Sequence, residues 1–223
     1  MNDLTNSYTQ IKQEVRDYDQ QIDGVPNFQK YSKGTRILFS GLTYQPKFMF
    51  IGINPGGGGP VANNEPRKKQ YEKQKVLAYS VKTVMYPLAI NTRKLFKKAK
   101  CEQYLQTAVK SNCFFFATRK ETELYQMISH IKHLGVYSKA NDWISRLINA
   151  VEPEIIICEG KSAFDRITGI YKCEGTWADG VGYANNNGTH IIGYKRLLSH
   201  ILAIDNVADK IKAVVMETNK RDE

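Results

Sequence analysis

The sequence predicts an α/β protein built on a parallel sheet with helices over both faces. Two observations lead there. Four short runs, "KFMFIGI" (47–53), "NCFFFA" (112–117), "EIIICEG" (154–160) and "THIIGY" (189–194), are apolar-rich, strand-length and bounded by turn residues. Such runs suit strands buried on both faces. Helical stretches lie between them, and that alternation is the sequence form of a parallel sheet.

In chain order, residues 4–20 read as an amphipathic helix, "VPNFQKYSKGTR" as loop and "RILFSG" as a candidate short strand. After the 47–53 strand, a basic helix is expected from Glu65 to about Tyr79. Pro87 interrupts, and "NTRKLFKKAKC" starts another helix with Asn91 as N-cap. The 112–117 strand is followed by helices in "ETELYQMISHIKHL" and "SKANDWISRLINAV", the latter capped by Ser138 or Asn141. "KSAFDRI" is a short helix after the 154–160 strand. "GTWADGVGYANNNG" is turn-rich with a short strand near Val181, and "DNVADKIKAVVMET" closes the chain as a helix capped by Asp205 or Asn206. The 223 residues, 42% of them hydrophobic, fit one domain spanning 1–223, with 1–22 as a helical extension.

No apolar run is long enough for a membrane span, and the N-terminus lacks a signal-peptide core. An intracellular, cytoplasmic protein is expected. The cysteines Cys101, Cys113, Cys158 and Cys173 match no metal-ligand spacing and read as reduced, mostly buried thiols. The net charge of +10 is concentrated in one place. Residues 67–100 carry eleven Lys/Arg against Glu72 alone, so the rest of the chain, with 21 of each sign, is neutral. Segregation of this kind points to a polyanion partner; a solvated Lys-rich helix face is the plain alternative.

The stretch "GINPGGGGP" (52–60) invites a phosphate-loop reading. A Walker A loop needs Gly-Lys-Ser/Thr, whereas Gly59 precedes Pro-Val-Ala. A dinucleotide fingerprint finds Gly57 and Gly59 but then Ala62, with Pro60 where a helix should begin and no acidic residue closing a second strand about 20 positions on.

"GINPG" after an apolar strand instead resembles the first motif of the uracil-DNA glycosylase superfamily, in the form used by its mismatch-specific uracil/thymine branch. "MYPLAINTRKLFKKA", "KSNCFFFATRK" and "VEPEIIICEGKSAFDRI" are similar to later segments in the same order. The resemblance implies a three-layer α/β/α sandwich with a central four-stranded parallel sheet. It implies hydrolysis of the N-glycosidic bond of a flipped uracil or modified pyrimidine, leaving an abasic site, by a monomer that acts on DNA without metal or other cofactor. One departure stands out: where the family has His-Pro-Ser, this chain has "GYKRLLSH", with Tyr194 or Lys195 in place of the His. That argues against fast, uracil-specific catalysis.

Residue by residue, Asn54 would hold the attacking water through its amide oxygen, since an amide takes no proton. Its plain alternative is a turn-capping Asn before Pro. Gly52, Ile53, Pro55, Gly56 and Gly57 would surround the extruded base, with backbone N–H groups of Gly56 to Gly59 meeting a base carbonyl or its developing negative charge; Pro55 has no N–H and only fixes the chain direction. Asn112 would read the pyrimidine edge, or else border a strand with backbone bonds. Tyr71, Tyr79 and Tyr86 are all candidates to stack on the base. Lys68, Lys69, Lys195, Arg196 and Ser199 are expected DNA contacts, with Leu197 and Leu198 as a wedge into the vacated stack or simply helix-face leucines. Phe114–Phe116, His130 and His190 read as structural. The glycines beyond Gly56 suggest room for a base bulkier than uracil. Two other readings compete: a non-catalytic nucleic-acid binder on the same fold, and a nucleotide-binding enzyme using the glycine loop.

Overall fold

The computed structural model describes residues 2–56 and 68–220. The expected contact Gly57, the later glycines and the side chain of Lys68 lie outside what is described.

The protein is mixed α/β, with a mostly parallel central sheet of six strands. Its strands, in spatial order, are β4 (Val109–Asn112), β2 (Phe48–Gly52), β5 (Ile155–Cys158), β8 (Thr189–Tyr194), β7 (Val181–Asn186) and β6 (Thr176–Ala178). The first four are parallel neighbours, and β7 and β6 extend the sheet antiparallel. The expectation of four strands is therefore corrected to six. Two tight turns are the reason. Asp179-Gly180 joins β6 to β7 and Asn187-Gly188 joins β7 to β8, each with both residues at positive φ (50° and 81°, 49° and 96°). That is the backbone two-residue hairpins require, and Asp-Gly and Asn-Gly supply it.

Strand alternation assigns the two faces. Met49, Ile51, Ile156, Cys158 and Ile191 join one buried cluster with α1 (Asn2–Asp23), α4 (Glu121–Ile131), α5 (Val136–Val151) and α6 (Lys161–Tyr171). Phe48, Phe50, Ile155, Ile157, Ile192 and Tyr194 join a second with α3 (Pro87–Lys98) and α7 (Ile204–Asn219). The first helix is not peripheral. Leu4, Tyr8, Ile11, Val15, Tyr18 and Ile22 are all buried in the first cluster, and Glu14 accepts bonds from Trp143 Nε1 (2.9 Å) and Arg146 (2.8 Å) on α5.

Several expected elements shift. The second apolar run does not supply its strand: β4 is Val109–Asn112, and Phe114–Phe116 leave the ladder yet stay buried. The polar residues Lys110, Ser111 and Asn112 occupy the buried strand instead, and Ser111 Oγ bonds Ile37 O at 2.7 Å. Among the described residues, from Lys68 onward, the basic helix expected up to Tyr79 does not form. Lys68–Gln70 is a short strand, β3, paired parallel with β1 (Gly34–Arg36), and a 3₁₀ turn at Ala78–Ser80 buries Tyr79 completely. The α3 helix begins at Pro87, so Asn91 lies inside it rather than capping it. Proline at the first helical position lacks only an N–H that would be unpaired there. Gly135 and Ala203, both at positive φ, stand at the N-caps of α5 and α7 in place of the expected polar residues.

Candidate functional site

A cavity of about 800 Å³ opens beyond the carboxyl ends of β2, β4 and β5, the edge where open parallel sheets hold ligands. Asn54, Asn112, Thr118, Glu159, Arg196 and Ser199 all line it. The loop after β2 is stitched to the segment after β4. Cys113 N bonds Gly52 O (2.8 Å), Phe114 N bonds Ile53 O (2.9 Å), and Gly56 and Thr118 form a parallel bridge.

That stitching orients Asn54. Its Nδ2 donates to Thr118 Oγ1 (2.9 Å) and Pro55 O (3.1 Å), with Phe116 O at 3.4 Å. Thr118 Oγ1 gives its own proton to Lys120 O at 2.8 Å, so it accepts from the amide. Two carbonyls and an accepting hydroxyl leave one choice of amide orientation, nitrogen toward the protein. Oδ1 has no donor among the described residues and remains available in the pocket.

Asn112 is buried, 3% exposed, and its Nδ2 has no partner among the described residues. An unpaired buried donor costs about 1–3 kcal/mol, so this amide invites an acceptor. Its Oδ1 lies over Gly52, where any Cβ would overlap it. Gly52 is thus required by the site itself, whereas a Cβ at Gly56 would meet nothing within 4 Å.

Below these amides sits a buried charged cluster. Lys110 Nζ bonds Glu159 Oε2 and, at 2.7 Å, Tyr79 Oη; Tyr79 in turn donates to Glu159 Oε1. Glu159 Oε2 is also 3.6 Å from the position of a Gly52 Cβ. Burial would push the Glu159 carboxyl up, but Lys110 and then Arg196 hold it below the usual carboxylate range. For Lys110 burial wins over the attraction of Glu159, and its amine is drawn below the ordinary lysine value. Burial, then the Glu159 charge, pushes the Tyr79 phenol well up.

The walls carry further cations. Segment 36–40 runs along β4, with Phe39 N bonded to Lys110 O (2.9 Å) and Lys110 N to Ser40 Oγ (2.9 Å). This places Arg36 and Phe39 on the pocket, the guanidinium 4.8 Å from the ring centroid. Five basic and two acidic side chains line the cavity.

At the mouth, β9 (Arg196–Leu197) and β10 (His200–Ile201) form a small antiparallel hairpin. Leu197 and Leu198 at its turn are 66% and 85% exposed, so the reading of them as helix-face leucines is set aside. Asn91 Nδ2 holds the turn through Ser199 O at 2.8 Å.

The expected site residues therefore divide. Gly52, Ile53, Asn54, Pro55, Gly56, Asn112, Arg196 and Ser199 converge on the cavity. Lys195 is exposed beside Trp177, its Nζ 5.9 Å from the ring centroid, and Lys69 is paired with Asp23 at 2.6 Å. Of the tyrosines, Tyr71 bonds Asp19 (2.8 Å), Tyr79 is sealed at the floor, and Tyr86 lines the pocket at 44% exposure. Lys73, Lys75, Lys82, Lys94, Lys97 and Lys100 are exposed, whereas Lys98 pairs with Asp205 and Arg93 with the Val81 and Val84 carbonyls. Sequence reasoning missed Lys110, Glu159, Arg36 and Phe39. A signal existed for the first two: each is a lone charge inside a strand-bearing stretch, "VKSN" and "IIICEG", and buried charges are paired.

Compared with protein-family models and with curated proteins, the chain matches none.

Proposed function

We propose that the protein is a monofunctional DNA glycosylase that hydrolyses the N-glycosidic bond of an extruded uracil or modified pyrimidine, leaving an abasic site. The observation that carries this reading is one pocket shared by two amides of opposite availability. Asn54 presents an acceptor oxygen, while Asn112 holds an unpaired donor. The first suits a water molecule that must be oriented toward C1′, the second a base carbonyl.

In this reading the base leaves the duplex, because its glycosidic bond is out of reach inside the stack. The exposed Leu197-Leu198 tip then enters the gap, and Arg196, Ser199 and Lys195 meet the backbone around it. The C1′–N1 bond breaks with its electron pair going to the base. Water held by Asn54 Oδ1 adds at C1′ and its proton passes to solvent. Catalysis by positioning and electrostatics needs no side chain to accept that proton. A three-layer α/β/α arrangement of the family type accommodates the two clusters on either side of the sheet. The cavity volume also falls in the range of small-molecule sites, about 300–1,000 Å³, large enough for a substituted pyrimidine.

The test is incubation with duplex and single-stranded oligonucleotides bearing uracil, G·T mismatches and modified pyrimidines, followed by alkali. Strand cleavage at the altered base is expected. Salt-sensitive binding without abasic product at any enzyme concentration would favour a non-catalytic DNA binder on the same fold.

A further inference from the structure

Lys110 is the group in this cavity whose chemistry the water-positioning scheme leaves unused. An ammonium has three N–H donors. Glu159 Oε2 and Tyr79 Oη take two, and among the described residues the third has no acceptor. Tyr79 and Glu159 sit 0% and 3% exposed, so the cluster is built into the floor rather than draped over it. Arg196 adds a second cation facing Glu159, and its guanidinium has no hydrogen-bond partner among the described residues. Two cations, Lys110 and Arg196, thus face a single carboxylate at the floor, whose oxygens already accept from Lys110 and Tyr79.

Resting on the glycosylase reading, we propose that Lys110 is a catalytic residue that donates to a carbonyl oxygen of the extruded base and stabilises the anion formed as it departs, so that the pocket selects 2,4-dioxopyrimidines over 4-aminopyrimidines. Heterolysis of the C1′–N1 bond leaves the electron pair on the base, delocalised over N1 and its carbonyl oxygens. A fixed ammonium beside such an oxygen stabilises that state more than the neutral substrate, the condition for lowering the barrier. Glu159 and Tyr79 position Lys110. They hold its Nζ at the floor and leave one N–H for the base. A 2,4-dioxopyrimidine offers two acceptor oxygens and leaves as a more stable anion than cytosine, whose 4-amino group would add a donor to a floor already rich in donors.

The experiment compares single-turnover rates of the wild type, Lys110→Met and the double variant Lys110→Met/Glu159→Gln on duplexes bearing uracil and 5-fluorouracil. The double variant removes the carboxylate that Lys110→Met would leave buried and unpaired, and its folding is checked by thermal melting. Loss of one such donor is worth roughly 10²–10³ in rate. The expected loss is of that size on uracil and at least tenfold smaller on 5-fluorouracil, whose more acidic N1 needs less help to leave. Equal losses on both bases, or undiminished rates in the folded double variant, would overturn the assignment. Thermal shift with free uracil and free cytosine separates this from failure of the glycosylase reading. If the wild type releases no base from the whole panel of uracil, mismatched and modified-pyrimidine oligonucleotides, that reading fails. The floor's preference then stands if uracil alone raises the melting temperature and does so only when Lys110 is present, and falls if it does not.

Discussion

Asn54 draws its orientation from neighbours that only an amide satisfies. Two carbonyls and an accepting hydroxyl surround Nδ2. Replacing the nitrogen by a carboxylate oxygen would set it against both carbonyls and would have to draw the Thr118 hydroxyl away from Lys120 O. Asn54→Asp is therefore expected to lose about 1–3 kcal/mol of stability in denaturant titrations, without any gain in excision. Asn54→Ala should abolish excision while DNA binding stays nearly intact; equal loss of both would mean Asn54 does not act on the water. Glu159 sets an acid limit. Burial opposes its charged form, but Lys110 and Arg196 win, so the folded pKa lies below the ordinary 4.5. A depressed carboxyl contributes stability above that value and loses it as pH falls through the folded pKa. Melting temperature should therefore fall on acidification below about pH 4.5, and less steeply in the Lys110→Met/Glu159→Gln protein. These bonds are side-chain events across strands β2, β4 and β5. The family resemblance pointed to Asn54 and Asn112 in two separate segments, yet nothing in the sequence could pair Lys110 with Glu159, 49 positions apart.

At the scale of elements, the proposed wedge is the tip of the β9–β10 hairpin. A two-stranded ribbon this short is not stable alone; the bond from Leu202 N to Lys195 O (2.9 Å) extends its own ladder, and that from Asn91 to Ser199 O ties it to α3. With Leu198 at φ 55° and almost fully exposed, its side chain contributes little to the core. Leu198→Ala should leave stability within about 0.5 kcal/mol and lower excision from duplex DNA more than from single strands, measured side by side. Equal effects on both substrates would argue against a wedge. The hairpins of the sheet teach a related lesson. "ADGV" and "NNGT" carry the turn dipeptides in plain sight, yet the composition of 175–188 suggests only one short strand, near Val181, where β7 indeed begins. Pairing of β7 along the whole of β8 turns those residues into two added strands.

For the whole molecule, the helix at the N-terminus is part of the core on which the site rests. Ile11, Val15 and Ile22 are fully buried, Thr35 Oγ1 bonds Asp19 at 2.9 Å, and α1 thereby reaches the β1 segment that leads to Arg36. Ile11→Ala should cost about 2–5 kcal/mol, read by denaturant unfolding, a loss no dispensable extension would show. Among the described residues no helix is long and apolar enough to cross a membrane. The amino-acid order by itself determined the alternation of strands and helices, three of the four strand cores, and the family resemblance that singles out Asn54 and Asn112, because apolar runs and turn residues act locally. Only the tertiary structure decided that β4 is the polar "VKSN" rather than the phenylalanine run, that Tyr79 is buried in a 3₁₀ turn, and that Lys110, Glu159 and Arg36 surround the same cavity. Burying a charge is favourable only beside a partner, and that partner comes from a distant strand whose position the linear sequence does not encode locally.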